Sequence, residues 1–345
     1  MDATSHAATA LFHGAPPVGL DATPKVRVFG RDKLELWRVL PGTQPLLPVP
    51  VLLIPPLMVR PYIYDLQPAH SLLQTLRDAA VDTYVVDFGV PDPGDTNLRL
   101  DDYVLDYVPT CIEQTLRHSH QDGIAIVGYC MGGLFGLIHA ATFADPRVRA
   151  LVTIGSPVNF RKMGAITVGA RLTAPVMDTV IDLVGNVPGG LSSLVFKLLS
   201  GPRLVRSYID LLSHLDDPRR VQSFRAINHW INDMIPYPRE AYRQMFHEVI
   251  LGNRLRKNQL VFGGRRCDLG QVTCPVLAFA GEQDIIAPPA AVREVVQLVG
   301  SQDRQLVVAP GGHIGVMAGH FAPERVWRPM LKWLRQRMQN PPAIS

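Results

Sequence analysis

A chain of 345 residues with 47% hydrophobic and 19% charged content carries far more apolar material than a disordered or linker protein can use. It is long enough for one large domain with an insertion, or for two small domains. The apolar stretches at 49–58 and 124–133 are too short and too broken by glycine and proline to cross a bilayer, which takes about 20 apolar residues. The N-terminus lacks the basic start and unbroken apolar core of a secretory signal, so the expected compartment is the cytosol. Cys111, Cys130, Cys267 and Cys274 show no CxxC or Cys/His metal spacing, so each is read as a thiol and no metal is expected. The net charge of +4 is spread along the chain without a dense basic run, which argues against a nucleic-acid surface.

Short β-branched runs alternate with segments of helical period, the pattern of a βαβ succession and a mostly parallel, doubly wound sheet. Strands are expected at 26–29, 34–39, 49–54, 83–88, 124–129 and 150–154, and after a long interval at 276–281 and 305–309. Amphipathic helices are expected at 69–80, 100–118, 131–143, 289–299 and 323–338, the last with a core stripe of Trp327, Met330, Leu331, Leu334 and Met338. Residues 160–258 break the rhythm. Val176, Val180, Ile181 and Val184, then Leu204, Tyr208, Ile209, Leu212 and Leu215, fall at helical spacing between the breakers Gly189-Gly190 and Gly201-Pro202. A sheet interrupted in this way predicts a helical cap over the carboxyl ends of the strands, where α/β sites open. The core is then 26–159 with 259–338, the cap 160–258, and residues 1–25 and 339–345 loose ends.

The strand at 124–129 runs into Val127-Gly128-Tyr129-Cys130-Met131-Gly132-Gly133 and then a helix. That is the nucleophile elbow, G-x-[Ser/Cys]-x-G, in which flanking glycines leave room for a tight turn. The α/β-hydrolase fold then requires an acid and a histidine later in the chain, in that order. Asp284 ends the strand segment VLAFAGEQD, and His313 follows QLVVAPGG just ahead of a helix. Glu282 is the rival acid. The alternative acid position, Gly155-Ser156-Pro157-Val158-Asn159, holds no carboxylate. His139 reads as packing, and His229 beside Trp230 as packed or solvent-facing. For the oxyanion, the backbone N–H of Met131 is one expected donor, and that of Leu57 or Met58, after the strand at 49–54, is the other. A cysteine nucleophile trades one thioester for another at little free-energy difference. This points to transfer from an acyl-CoA onto an alcohol if the insert keeps water out.

These residues resemble the polyhydroxyalkanoate synthases, and the length resembles the short catalytic subunit of the two-component, class III kind. The likeness spans most of 25–335: PPLMVRPYIYDLQPAHSLL, VDTYVVDFGVPD, LRLDDYVLDYV, GYCMGG, HWINDMIPYPREAYRQM, GEQDIIAPP and GGHIGV. The resemblance implies a Cys-His-Asp triad on Cys130, His313 and Asp284, a 3-hydroxyacyl-CoA substrate, a polyester product and release of CoA. It implies no cofactor beyond that substrate. Partners expected on the same ground are a second copy or a small accessory subunit, and a polymer-granule surface. The chain departs from the family at Ile285, where histidine is usual, and at Asn159, where aspartate is frequent. It also continues Val316-Met317-Ala318-Gly319-His320 where the family carries an asparagine beyond the catalytic histidine. A thioesterase, or an esterase like the dienelactone hydrolases, is the alternative use of the same triad.

Overall fold

The computed structural model describes residues 17–42, 49–199, 213 and 216–339. The strands are β1 (Lys25–Arg31), β2 (Leu34–Val39), β3 (Val51–Ile54), β4 (Thr83–Asp87), β5 (Ile124–Tyr129), β6 (Val148–Ile154), β7 (Leu260–Phe262), β8 (Arg265–Cys267), β9 (Val276–Gly281) and β10 (Arg304–Ala309). Eight of them form one sheet in the order β1-β2-β4-β3-β5-β6-β9-β10. The pairs β1/β2 and β2/β4 are antiparallel, and every other neighbour in the sheet is parallel. This is the α/β-hydrolase arrangement expected from the sequence, with element ends displaced by a few residues.

Parallel strands covered on both faces are apolar throughout, because both alternations of side chain are buried. In β3, Leu52 and Ile54 enter one core with helices α2 (Val108–Ser119) and α3 (Met131–Phe143). Val51 and Leu53 enter the opposite core with Leu72, Leu73 and Leu76 of α1 (Leu72–Asp78), and with Trp327, Met330 and Leu334. The C-terminal stripe therefore packs as core, as its period indicates.

Between β6 and β9 the described residues contain α4 (Ala165–Val184), a helical stretch at 189–199, α5 (Pro218–Asn232) and α6 (Arg239–Gln244). Of the stripe expected on α4, only Ile181 is buried, whereas Val176, Val180 and Val184 are exposed. The buried side of α4 is built from Thr167 and Ala170 as well. Leu204, Tyr208, Ile209, Leu212 and Leu215 lie outside the described residues, as do 1–16 and 340–345. Residues 17–25, expected to be loose, are anchored by a buried carboxylate. Asp65 accepts hydrogen bonds from the Thr23 N–H (2.7 Å) and the Thr23 hydroxyl (2.8 Å). The hairpin β7/β8 is an addition to the expected list; its turn residues Gly263 and Gly264 both have positive φ (54° and 77°).

Candidate active site

Cys130 sits between β5 and α3 with φ 50° and ψ −118°, a conformation that costs a non-glycine residue about 1–3 kcal/mol and persists only where the surroundings enforce it. The enforcement is visible in the flanking glycines. A Cβ on Gly132 would stand 1.8 Å from the Ile54 carbonyl oxygen, and one on Gly128 2.3 Å from the Gly133 nitrogen. The elbow is thus wedged against the end of β3 and against its own helix. Ser156 holds it from the far side: its hydroxyl donates to the Cys130 carbonyl at 2.7 Å, and the Cys130 N–H donates to the Ile154 carbonyl at 2.8 Å. Ser156 bears no carboxylate and lies 26 residues from Cys130, so nothing in the sequence marks it as a support of the elbow.

Asp284 follows β9, and His313 opens the short helix α7 (His313–Ala318) after β10. His313 Nδ1 and Asp284 Oδ2 are 2.7 Å apart and both residues are buried. The other Asp284 oxygen accepts the N–H groups of Ile286 and Ala287, each at 2.8 Å. Burial alone would lift the Asp284 carboxyl, but the His313 charge and these hydrogen bonds outweigh it and hold the group below the usual carboxylate range. Burial alone would lower His313. The Asp284 carboxylate and the Cys130 sulfur outweigh that and hold the ring well above the ordinary histidine value. With Nδ1 engaged by Asp284, Nε2 is the nitrogen left to exchange a proton with Cys130. Gly155, at φ 61°, makes room for the pair: a Cβ there would lie 3.3 Å from His313 Cε1 and 3.7 Å from Asp284 Oδ2.

Tyr129 adds two supports that its place in a buried strand did not signal. Its hydroxyl donates to the His313 carbonyl at 3.2 Å, and its ring lies 5.2 Å from the imidazole. Glu282, the rival acid, is exposed and lines a separate surface depression with Val307, Val308 and Arg325. His139 is buried against Asp145 (3.1 Å), and His229 stacks on Tyr62 at 6.5 Å. Burial pushes Cys267 and Cys274 up to about 12, and pushes Cys111 up as well, so these thiols stay protonated.

Met131 begins α3, the place expected for one oxyanion donor, and its sulfur accepts the hydroxyl of Tyr237 at 3.2 Å. Leu57 is buried and Met58 half-buried in the loop after β3. The Met58 carbonyl is bonded by the Ile235 N–H at 3.1 Å. From the helical interval between β6 and β9, Trp230, Ile231 and Met234 belong to the apolar cluster against which Cys130 packs, and Phe196 and Ile227 pack against the same cluster. The two ends of this interval meet at Glu294. This buried carboxylate receives Asn159 Nδ2 at 2.6 Å, Lys162 Nζ at 2.8 Å and Arg256 Nε at 2.5 Å. An aspartate in place of Asn159 would set two carboxylates side by side there.

The family profile described as alpha/beta hydrolase fold matches residues 63–319. Over 327 residues the chain is 34% identical to the Poly(3-hydroxyalkanoate) polymerase subunit PhaC of Allochromatium vinosum, covering 94% of this chain and 91% of that protein. It is 32% identical over 324 residues to the protein of the same name from Synechocystis sp., covering 91% and 85%. Among solved structures, a soluble variant of the monoglyceride lipase from Saccharomyces cerevisiae superposes with TM-score 0.56 at 14% identity, covering 94% of this chain and 97% of that one. A thermophilic esterase from Thermogutta terrifontis gives 0.53 at 18% identity, covering 91% and 98%. At such identities the structures speak to the fold alone.

Proposed function

The chain belongs to the poly(3-hydroxyalkanoate) polymerase subunit PhaC family of α/β-hydrolase-fold enzymes, and from that premise we propose that it polymerises 3-hydroxyacyl groups through an acyl-S-enzyme on Cys130. The observation that carries the mechanism is a cysteine at a strained elbow that raises, together with a buried carboxylate 2.7 Å from the ring, the basicity of one histidine. His313 Nε2 takes the thiol proton, and the thiolate adds to the carbonyl carbon of the 3-hydroxyacyl-CoA. The N–H of Met131 and that of Leu57 or Met58 receive the developing oxyanion. The tetrahedral intermediate collapses with loss of the CoA thiolate, which takes the proton back from His313. In the second half, His313 accepts the proton of the acceptor hydroxyl as its oxygen attacks the enzyme thioester. An ester bond forms, and the Cys130 sulfur leaves and is reprotonated. Asp284 carries no proton in the cycle; it fixes the ring and offsets its charge.

Apolar cap residues that share a cluster with Cys130 favour an alcohol over water as acceptor in this reading, by shielding the thioester between the two halves. A second copy, a small accessory subunit and a polymer-granule surface are the partners this reading expects. The test is incubation with 3-hydroxybutyryl-CoA, following free thiol and the fate of the acyl group together. Thiol release with growing ester chains, abolished in Cys130→Ala, is the expected result. Release of free 3-hydroxybutyrate alone would make the enzyme a thioesterase.

A further inference from the structure

One short span of the cap, residues 230–235, holds the loop after β3 at four points. The Ile235 N–H donates to the Met58 carbonyl (3.1 Å), and Trp230 Nε1 donates to the Arg60 carbonyl (3.1 Å). Asp233 Oδ2 accepts the Tyr62 hydroxyl (2.9 Å) and pairs with Arg60 Nε (3.2 Å). The same loop starts at Ile54, whose carbonyl lies against Gly132 of the elbow, and it contains the Leu57–Met58 backbone. Arg60 and Asp233 are both substantially exposed, so the ion pair by itself contributes little to stability. Its consequence is geometric: two contacts fall on the Met58 and Arg60 carbonyls and two on the Arg60 and Tyr62 side chains, which fixes the loop's path rather than merely its distance.

We propose that Asp233 is a positioning residue for acyl transfer: by holding Arg60 and Tyr62 it sets the Leu57–Met58 backbone, so that the oxyanion site is completed by the cap and not by the core alone. Closing the cap then does two things at once. It shields the thioester, and it brings the second oxyanion donor to its working place. The cap thereby couples coverage of the substrate to the rate of carbonyl addition. This inference rests on the acyl-transfer reading, since only a reaction that develops an oxyanion senses the loop.

The experiment compares two reactions of Cys130 in the wild type, Asp233→Ala, Asp233→Asn and Tyr62→Phe. One is acylation by 3-hydroxybutyryl-CoA, read as the single-turnover rate of CoA release and its substrate dependence. The other is alkylation by iodoacetamide, a displacement at saturated carbon that forms no oxyanion. Asp233→Ala is expected to slow acylation at saturating substrate by about 10–100-fold, the scale of a misplaced donor. Its half-saturation concentration should change less than threefold and its alkylation rate less than twofold. Asp233→Asn, which keeps an acceptor for Tyr62, should recover part of the loss. Tyr62→Phe, which removes one contact and keeps the ring, should slow acylation by several-fold and serves as the test if Asp233→Ala does not fold. Unchanged acylation in Tyr62→Phe and Asp233→Ala overturns the proposal. So does alkylation that falls in step with acylation, or an effect confined to half-saturation. If the wild type releases no CoA but cleaves p-nitrophenyl butyrate, the polymerase reading fails, and the same comparison run on that ester still decides the role of Asp233.

Discussion

At Cys130 the fold accepts backbone strain at the junction of β5 and α3, and the proposed acyl transfer depends on this side chain being a thiol. Cys130→Ser is expected to fold normally and to lose turnover by about 10³-fold, the scale of losing a matched nucleophile–base pair. Single-turnover CoA release with circular dichroism as the folding control checks this. The His313–Asp284 pair predicts a pH dependence of stability. Asp284 titrates lower in the folded chain than in the unfolded one, so its contribution is present above about pH 4 and is lost as pH falls through the lowered value. His313 titrates higher when folded, so its contribution is full below about pH 6.5 and is lost as pH rises through the raised value. Both are therefore full between about pH 4 and 6.5. The stability difference between the wild type and Asp284→Asn in urea unfolding should be about 2 kcal/mol in that window and shrink on either side. A difference that grows above pH 8 would contradict the pairing.

The element that carries the most constraint is the junction of β5 and α3, where three chain segments meet at distances only glycine allows. Gly132→Ala would drive a methyl carbon to 1.8 Å from the Ile54 carbonyl oxygen, so either β3 or the elbow must move. The expected cost is about 3–5 kcal/mol, with loss of Cys130 labelling even in molecules that stay folded. Thermal melting and alkylation rate measure the two effects separately. This junction was legible in the sequence because close approach demands glycine at fixed offsets and the nucleophile order demands Asp284 before His313. The central strands β3, β4, β5, β6 and β9 were legible because burial on both faces leaves unbroken apolar runs, whereas β1, β2 and β10, towards the sheet edges, were legible from shorter β-branched and aromatic runs. The hairpin β7/β8 was not legible because three-residue strands leave no period to read, although Gly263-Gly264 mark its turn. The supports from Ser156, Tyr129 and Asp233 were illegible because each acts across 26 or more residues of sequence and through groups that look ordinary in a strand or helix. On α4, helical spacing gave the helix but not its buried side, because apolar period says where a stripe lies and not whether anything covers it.

Taken as a whole, the molecule is a sheet core with a helical interval between β6 and β9, the proposed cap, whose two ends meet on one carboxylate. Phe160–Lys162 at the cap's start and Arg256 at its finish converge on Glu294, which stays ionised because Lys162, Asn159 and Arg256 together outweigh the burial that would raise it. Beyond these anchors, the cap leans on the core through Tyr237, Trp230 and the 58–62 loop. On the acyl-transfer proposal, an acyl-CoA with its bulky nucleotide reaches Cys130 by an opening of the cap about its base while the base itself holds. Limited proteolysis is therefore expected to cut first within 160–258, and a slowly transferred acyl-CoA analogue should suppress those cuts by holding the cap down. Glu294→Ala leaves Asn159, Arg256 and Lys162 without their common partner, at a cost of about 2–4 kcal/mol. Because that cost falls on the hinge, cap cleavage should accelerate more than cleavage elsewhere, and protection by the analogue should weaken. Uniform acceleration across the chain would place Glu294 in the general stability of the core instead, and first cuts in the sheet region would remove the case for a cap that opens on its own.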